Sequence, residues 1–203
     1  MTHIGDLMRM APVIPVLVID DLDEAKPLAE ALVAGGLRVL EVTLRTECAP
    51  DAMRAMAEVE GAIVGAGTVN TAADFETAKA AGAQFIVSPG LTPSVADAVT
   101  QAGLPFLPGV ATAGDIMRGL EMGLDHFKFF PAVAAGGVPA LKALAAPFAG
   151  CRFCPTGGVG ADNAREWLAI EQVLCVGGSW VAPRGGEPEW ITRLAREACG
   201  LTA

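Results

Sequence analysis

The sequence is short of positive charge and of long apolar runs, and each shortage removes a class of function. With 14 Lys+Arg against 23 Asp+Glu the formal net charge is -9, so the basic patch that would neutralise nucleic-acid phosphates is missing. Any anionic ligand has to be held by a local device. No apolar stretch reaches the roughly 18 residues of a membrane span. The first residues, MTHIGDLMRMAPVIPVLVI, lack the basic n-region and small-residue cleavage site of a secretory signal. The expectation is a cytoplasmic protein with neither a nucleic acid nor a membrane as partner.

Cysteine is present but does not form a framework. Cys48, Cys151, Cys154, Cys175 and Cys199 are odd in number and scattered, which fits reduced thiols. Cys151 and Cys154 make a C-x-x-C with no second pair, and His3 and His126 are far from it in sequence. On a strand, residues three apart face opposite ways, so the pair reads as buried small hydrophobes rather than as zinc ligands.

What is abundant is small and apolar. Hydrophobic residues make up 52% of the chain, with 24 glycines and only 5% aromatics, a balance that suits parallel strands buried on both faces beneath alanine-rich helices. At 203 residues the chain is near the lower size limit of a (β/α)8 barrel and sufficient for one α/β domain spanning 1–203.

A repeat organises it. Alanine-rich helical segments end at Gly36, Gly61, Gly82, Gly103, Gly123 and Gly150, each followed by a short apolar run. The eight strands expected are 13–19, 39–45, 62–69, 85–90, 105–110, 127–132, 153–158 and 173–179. Strand and helix in alternation imply a parallel sheet, and eight such units without a linker favour a closed (β/α)8 TIM barrel over an open doubly wound sheet. Thr71 with Asp74, Thr92 before Pro93, and Thr112 with Asp115 read as helix starts. Pro15 and Pro108 fall inside strand runs, where bulges or shortened ladders are expected.

In such a barrel the reacting groups come from the C-terminal ends of strands. Of four lysines, Lys26, Lys79 and Lys142 fall in amphipathic helices and read as solvated. Lys128 lies inside HFKFFPA, where Phe127, Phe129 and Phe130 would strip water from it and disfavour the ammonium. An exposed amine of that kind attacks a carbonyl to form an imine, an electron sink for breaking the neighbouring carbon–carbon bond. A lysine buried against a carboxylate for packing alone is the other reading.

In VLEVTLR, period-two alternation puts Glu41, Thr43 and Arg45 on one face. Facing inward, Glu41 could serve Lys128 as general acid and base, and Arg45 could grip a carboxylate. A structural Glu41–Arg45 ion pair would look the same in sequence. Thr156-Gly157-Gly158 and Gly177-Gly178-Ser179 follow the seventh and eighth strands, where barrels bind phosphate. Gly65-Ala66-Gly67-Thr68 matches no nucleotide motif, and no cofactor or metal is expected.

Together VLEVTLRTECA, IVGAGTV, AGAQFIVSPGL, FKFFPA, RFCPTGG and VLCVGGSW resemble the 2-dehydro-3-deoxy-phosphogluconate (KDPG) aldolase family, also described as 4-hydroxy-2-oxoglutarate (KHG) aldolase, over nearly the whole chain. The resemblance implies a homotrimeric class I aldolase that splits a phosphorylated keto acid into pyruvate and glyceraldehyde 3-phosphate. It assigns the imine to Lys128, proton transfer to Glu41 and the pyruvate carboxylate to Arg45. It further implies that Thr68, Pro89 and Thr156 line the keto-acid end and that Phe130 packs on the substrate. Gly157, Gly158, Gly178 and Ser179 would receive the phosphate. Val133 stands where many relatives carry a glutamate, a departure that bears on substrate preference. The galactonate-type and unphosphorylated substrates stay open, as do a sugar-phosphate epimerase or isomerase and a non-catalytic metabolite-binding barrel.

Overall fold

The computed structural model describes residues 3–201, so the expected domain, 1–203, runs two residues beyond the described span at each end. Nine short strands alternate with helices: β1 (Val13–Leu17), β2 (Val39–Thr43), β3 (Ile63–Gly67), β4 (Ile86–Val87), β5 (Phe106–Leu107), β6 (Gly109–Val110), β7 (His126–Phe129), β8 (Arg152–Pro155) and β9 (Val176–Gly178). Every strand pairing is parallel. Six strands run in the order β5-β4-β3-β2-β1-β9 and three in the order β6-β7-β8. The two groups are joined through Pro108 between β5 and β6, and by bridges Phe153–Val173 and Thr156–Gly177 between β8 and the β9 segment. The result is a curled parallel α/β sheet.

Pro108 explains nine strands where eight runs are legible. It has no N–H to give to a ladder, so the fifth run divides there, while its carbonyl accepts from Lys128 N at 2.8 Å. Pro15 does less harm because it sits at a changeover. β1 pairs with β9 through Val13–Pro15 and with β2 through Val16 and Leu17.

The helices are α1 (Ile4–Met8), α2 (Leu22–Ala34), α3 (Ala49–Ala57), α4 (Ala72–Ala80), α5 (Pro93–Gln101), α6 (Ala113–Glu121), α7 (Gly137–Ala145), α8 (Ala164–Leu168) and α9 (Pro188–Cys199). None of the described helices is long and apolar enough to cross a membrane. Thr71 with Asp74 and Thr112 with Asp115 form capping boxes on α4 and α6, each satisfying backbone donors that a helix start leaves orphaned. Thr92 caps α5 with Pro93 behind it, but its hydroxyl bonds no helix N–H. Gly36, Gly61, Gly82, Gly103 and Gly123 all have φ between +69 and +101, the left-handed stop that ends a helix and turns the chain into the next strand. The segment expected to end at Gly150 stops earlier, α7 closing at Ala145.

Two apolar layers result. One lies between strands and helices and includes Leu40, Val42, Phe127, Phe129 and Trp167, each fully buried ring or branched chain contributing about 1.5–3 kcal/mol. The other collects Ile14, Val39, Phe85, Val87, Leu107, Cys154 and Cys175 with Ile4, Leu7 and Met8 of α1. Residues alternate between layers along a strand. In β7, Phe127 and Phe129 join the helix-facing layer, and Lys128 between them turns the other way.

Candidate active site

That alternation brings Lys128 to Glu41. Leu40 and Val42 of β2 pack toward the helices, which turns Glu41 and Thr43 inward. Lys128 Nζ donates to Glu41 Oε1 at 3.0 Å, with the residues only 5% and 2% exposed. Withdrawing either charge from water alone would cost several kcal/mol, so the two are stable there only as partners. The ring of Phe130 lies 5.4 Å from Nζ and faces it as a cation–π neighbour. Gly67 completes the arrangement, since a Cβ there would overlap the Glu41 carboxylate.

Arg45 is close by but not on the strand. β2 ends at Thr43, because Arg45 N bonds back to Thr43 O at 2.8 Å and the chain turns. The expectation of a strand to residue 45 is corrected accordingly. Arg45 Nε donates to Thr68 Oγ1 at 3.1 Å, and among the described residues no carboxylate pairs with it. The Glu41–Arg45 ion pair considered from sequence is therefore not formed. Thr43 shares the inward face but gives its hydroxyl to Leu17 O at 2.8 Å, a tie between strands. Thr68 directly follows β3 at φ +60, an uncommon conformation for a β-branched residue.

The remaining expected residues collect at the same end of the strands. Gly157 (φ +99) and Gly158 (φ +77) follow β8 in the left-handed region. A Cβ at 157 would press on the Phe130 ring, and one at 158 on Val133. Thr156 is buried and its hydroxyl fills the space that a Cβ on Gly177 would need. Gly178 is covered by the Trp180 ring, and Ser179 is exposed beyond it. Pro89 is exposed just past β4, its carbonyl resting on Gly109, which is in register with Lys128.

A recess of about 450 Å³ opens near these loops, between Val18–Leu28 and Ala182–Ile191. Asp20, Asp21, Asp23, Glu24 and Glu187 line it, with Arg184 paired to Asp20. Its acidic lining makes it a poor fit for an anion.

The C-x-x-C behaves as read: Cys151 packs in the helix-facing layer and Cys154 in the other. The free thiols of Cys175 and Cys154 share a hydrogen bond, and that contact, burial and the Cys154 and Glu41 charges push the Cys175 thiol well above the ordinary range. It stays protonated and unreactive.

Sequence reasoning did not foresee the spacing role of Gly67, Gly109 and Gly177. The available signal was a glycine inside an apolar run, which marks close approach of another group. Trp180 over Gly178 carried no signal.

A family model described as KDPG and KHG aldolase matches residues 4–194. The 2-dehydro-3-deoxy-phosphogluconate aldolase of Zymomonas mobilis is 56% identical, with 98% of this chain and 96% of the relative covered. The crystal structure of the Zymomonas mobilis enzyme with 3-phosphoglycerate superposes with a TM-score of 0.96 at 55% identity, covering 98% of this chain and 96% of that one. The KDPG aldolase of Legionella pneumophila, with pyruvate captured at low pH as a covalent carbinolamine intermediate, gives 0.94 at 46% identity over 98% of both chains. A model matched along almost the full sequence, and a relative identical at more than half its positions, place the chain in one family: it belongs to the KDPG and KHG aldolases.

Proposed function

We propose that this chain is a class I aldolase that cleaves 2-dehydro-3-deoxy-6-phosphogluconate into pyruvate and D-glyceraldehyde 3-phosphate, and 4-hydroxy-2-oxoglutarate into pyruvate and glyoxylate. The observation that carries the reading is the buried Lys128–Glu41 contact at 3.0 Å. A lysine kept out of water beside one carboxylate can pass its proton 3.0 Å to that carboxylate and become a neutral amine, the form that attacks a ketone. The captured pyruvate in the Legionella relative and the family description support the same reaction class.

In the cycle, Lys128 Nζ adds to the C2 ketone, Glu41 protonates the carbinolamine hydroxyl, and water leaves as the iminium forms. Glu41 then accepts the C4 hydroxyl proton, the C3–C4 bond breaks, and its electron pair moves into the iminium to give an enamine. The aldehyde departs. Protonation of C3 and hydrolysis of the imine release pyruvate and restore the amine. Arg45 holds the carboxylate, helped by Thr68, Pro89 and Thr156, and Phe130 packs on the substrate. The backbone amides of Gly157, Gly158 and Gly178, with Ser179, receive the phosphate.

The two strand groups joined at Pro108 and by the Thr156 bridge are best understood as one (β/α)8 barrel and one domain. The homotrimer is what the family resemblance implies, the exposed Met117 and Leu120 on α6 offering apolar surface for a contact between copies, and the free cysteines suit the cytoplasm.

Borohydride reduction in the presence of pyruvate should attach the reduced three-carbon acid to Lys128, and EDTA should leave turnover unchanged. Absence of the adduct, or full turnover by Lys128→Ala, would transfer the chain to an epimerase or isomerase class. Pyruvate release coupled to lactate dehydrogenase, compared across the gluconate, galactonate and unphosphorylated substrates, ranks the aldehyde halves.

A further inference from the structure

The end of the sheet opposite the Lys128 site holds three side chains that the reaction does not use. His3, at the start of α1, meets Asp125 and His126 at the start of β7, and one donor atom from each lies within 4.8 Å of the others. His126 Nδ1 is 2.6 Å from Asp125 Oδ1. The two imidazole rings meet edge to face with centroids 4.9 Å apart. All three residues line a cavity of about 260 Å³ with Ile4, Leu104 and Phe106. Gly5 makes the meeting sterically possible: a Cβ there would lie 2.5 Å from His126 Nε2 and 3.1 Å from His3 Nδ1.

We infer that His3, Asp125 and His126 form a binding site for a divalent transition metal of the zinc or nickel class at the N-terminal ends of the strands. Two imidazoles and one carboxylate are the donor set such ions take, whereas magnesium and calcium demand shells of oxygen. The cavity supplies room for water at the remaining position. With donor distances of about 2.0–2.2 Å to a common ion, the three groups have to draw together from their present spread. His3, exposed and outside the helix proper, is the one free to turn.

The hydrogen bonds fix which contacts change. His3 Nδ1 now accepts the Gly5 N–H at 3.1 Å. Ligation through Nδ1 uses that lone pair, and ligation through Nε2 places a proton on Nδ1, so by either nitrogen the Gly5 bond is given up. The other half of the capping box, His3 N–H to Asp6 Oδ2 at 3.1 Å, is retained. Asp125 now sits on His126 Nδ1 at 2.6 Å, on the far side of the ring from an ion at Nε2, so to ligate it gives up that bond and turns its carboxylate to the ion. The groups facing His126 are His3, Asp125 and Arg9. Burial holds its imidazole below the usual range, Asp125 opposes this, and His3 and Arg9 add to it. Neutral imidazole is the ligating form, so binding weakens as the solution is acidified.

The test is calorimetric titration of the full chain, stripped with EDTA and desalted, with zinc, nickel and magnesium ions near neutral pH. One zinc per chain is expected, nickel competing and magnesium giving no heat. His126→Gln and His3→Ala should each weaken zinc roughly tenfold or more, and Asp125→Asn by a similar factor. Aldolase turnover, unchanged in all three, certifies that the variants fold and keeps this result separate from the catalytic assignment. Loading with cobalt should give weak visible bands without thiolate charge-transfer absorption. No zinc binding by the wild type, binding undiminished in the histidine variants, or a thiolate band placing the metal on Cys48 or Cys199 would each overturn the site.

Discussion

Gly67 and Glu41 compete for the same volume, and the Glu41 carboxylate keeps its place because residue 67 has no side chain. Glu41 lies against Gly67 on the adjoining strand, and a methyl group there would overlap Oε1. Gly67→Ala should therefore push the carboxylate away from Lys128 while leaving the strand paired. Loss of a positioned general acid and base costs about 10²–10⁴-fold in rate, and overpacking costs about 1–3 kcal/mol. Steady-state turnover beside circular dichroism and urea unfolding measures both; an alanine variant with wild-type turnover would refute the spacing role.

The Lys128–Glu41 pair predicts non-additive stability. Lys128→Met leaves a buried carboxylate without its cation, and Glu41→Leu leaves the reverse; each should destabilise by about 3–5 kcal/mol. The double variant Lys128→Met with Glu41→Leu removes both charges and should recover most of that loss, although it is inactive. Urea unfolding of the four proteins in a double-mutant cycle gives the coupling. Additive losses would mean that solvent reaches the pair.

How much of this was legible follows from where each signal resides. Lys128 and Glu41 could be found because each is a charged residue at an alternating position within an apolar run, and strand pleating sends alternate residues to opposite faces. The caps at Thr71 and Thr112 are local and were readable with their partners. The run 39–45 reads as strand to Arg45, two residues past the observed end at Thr43, because a backbone bond between residues 43 and 45 leaves no mark in hydrophobic pattern. Pro108 was visible as an obstacle, but whether it bulges or breaks a strand depends on neighbours that a single sequence does not supply. The meeting of His3 with His126 joins residues at opposite ends of the chain's first two-thirds and is set by how α1 crosses the sheet.

Arg45 should govern substrate capture more than bond cleavage. It bonds Thr68 and has no carboxylate partner among the described residues, so its guanidinium is available to a substrate carboxylate. Arg45→Gln removes a charge-assisted contact of about 1.5–3 kcal/mol, which corresponds to a rise of roughly 10–100-fold in KM for the keto acid. The borohydride adduct on Lys128 should still form at high pyruvate. A fall in kcat with KM unchanged would move Arg45 from binding to chemistry.

The capping boxes should contribute to stability without touching catalysis. Thr71→Ala and Thr112→Ala each leave a helix N–H unbonded and should cost about 1 kcal/mol. Thr92→Ala, whose hydroxyl bonds no helix N–H, should stay within about 0.5 kcal/mol. Asp115 reports the same geometry. Burial pushes its carboxyl up, but the Ala111 and Thr112 N–H groups, the Thr112 hydroxyl and Arg118 together hold it below its ordinary value. Urea midpoints at neutral pH distinguish the three threonines, and equal losses at all of them would remove the capping explanation.

His126 should make stability fall on mild acidification. Its imidazole is held below the ordinary 6.5, first by burial and then by the His3 and Arg9 charges, against the pull of Asp125. A base whose affinity for protons is lower in the folded chain favours folding fully above 6.5. As the pH drops from there the unfolded chain takes up a proton that the folded chain refuses, and stability declines until the folded imidazole itself titrates. The thermal midpoint should hence be flat above about 6.5 and fall toward about 5, before most carboxylates respond. His126→Asn removes the titrating group and should flatten that part of the curve, with turnover at neutral pH unaffected. A variant that keeps the full slope would assign it to His3 or to groups elsewhere, and a midpoint that rises on acidification would reverse the sign argued from burial.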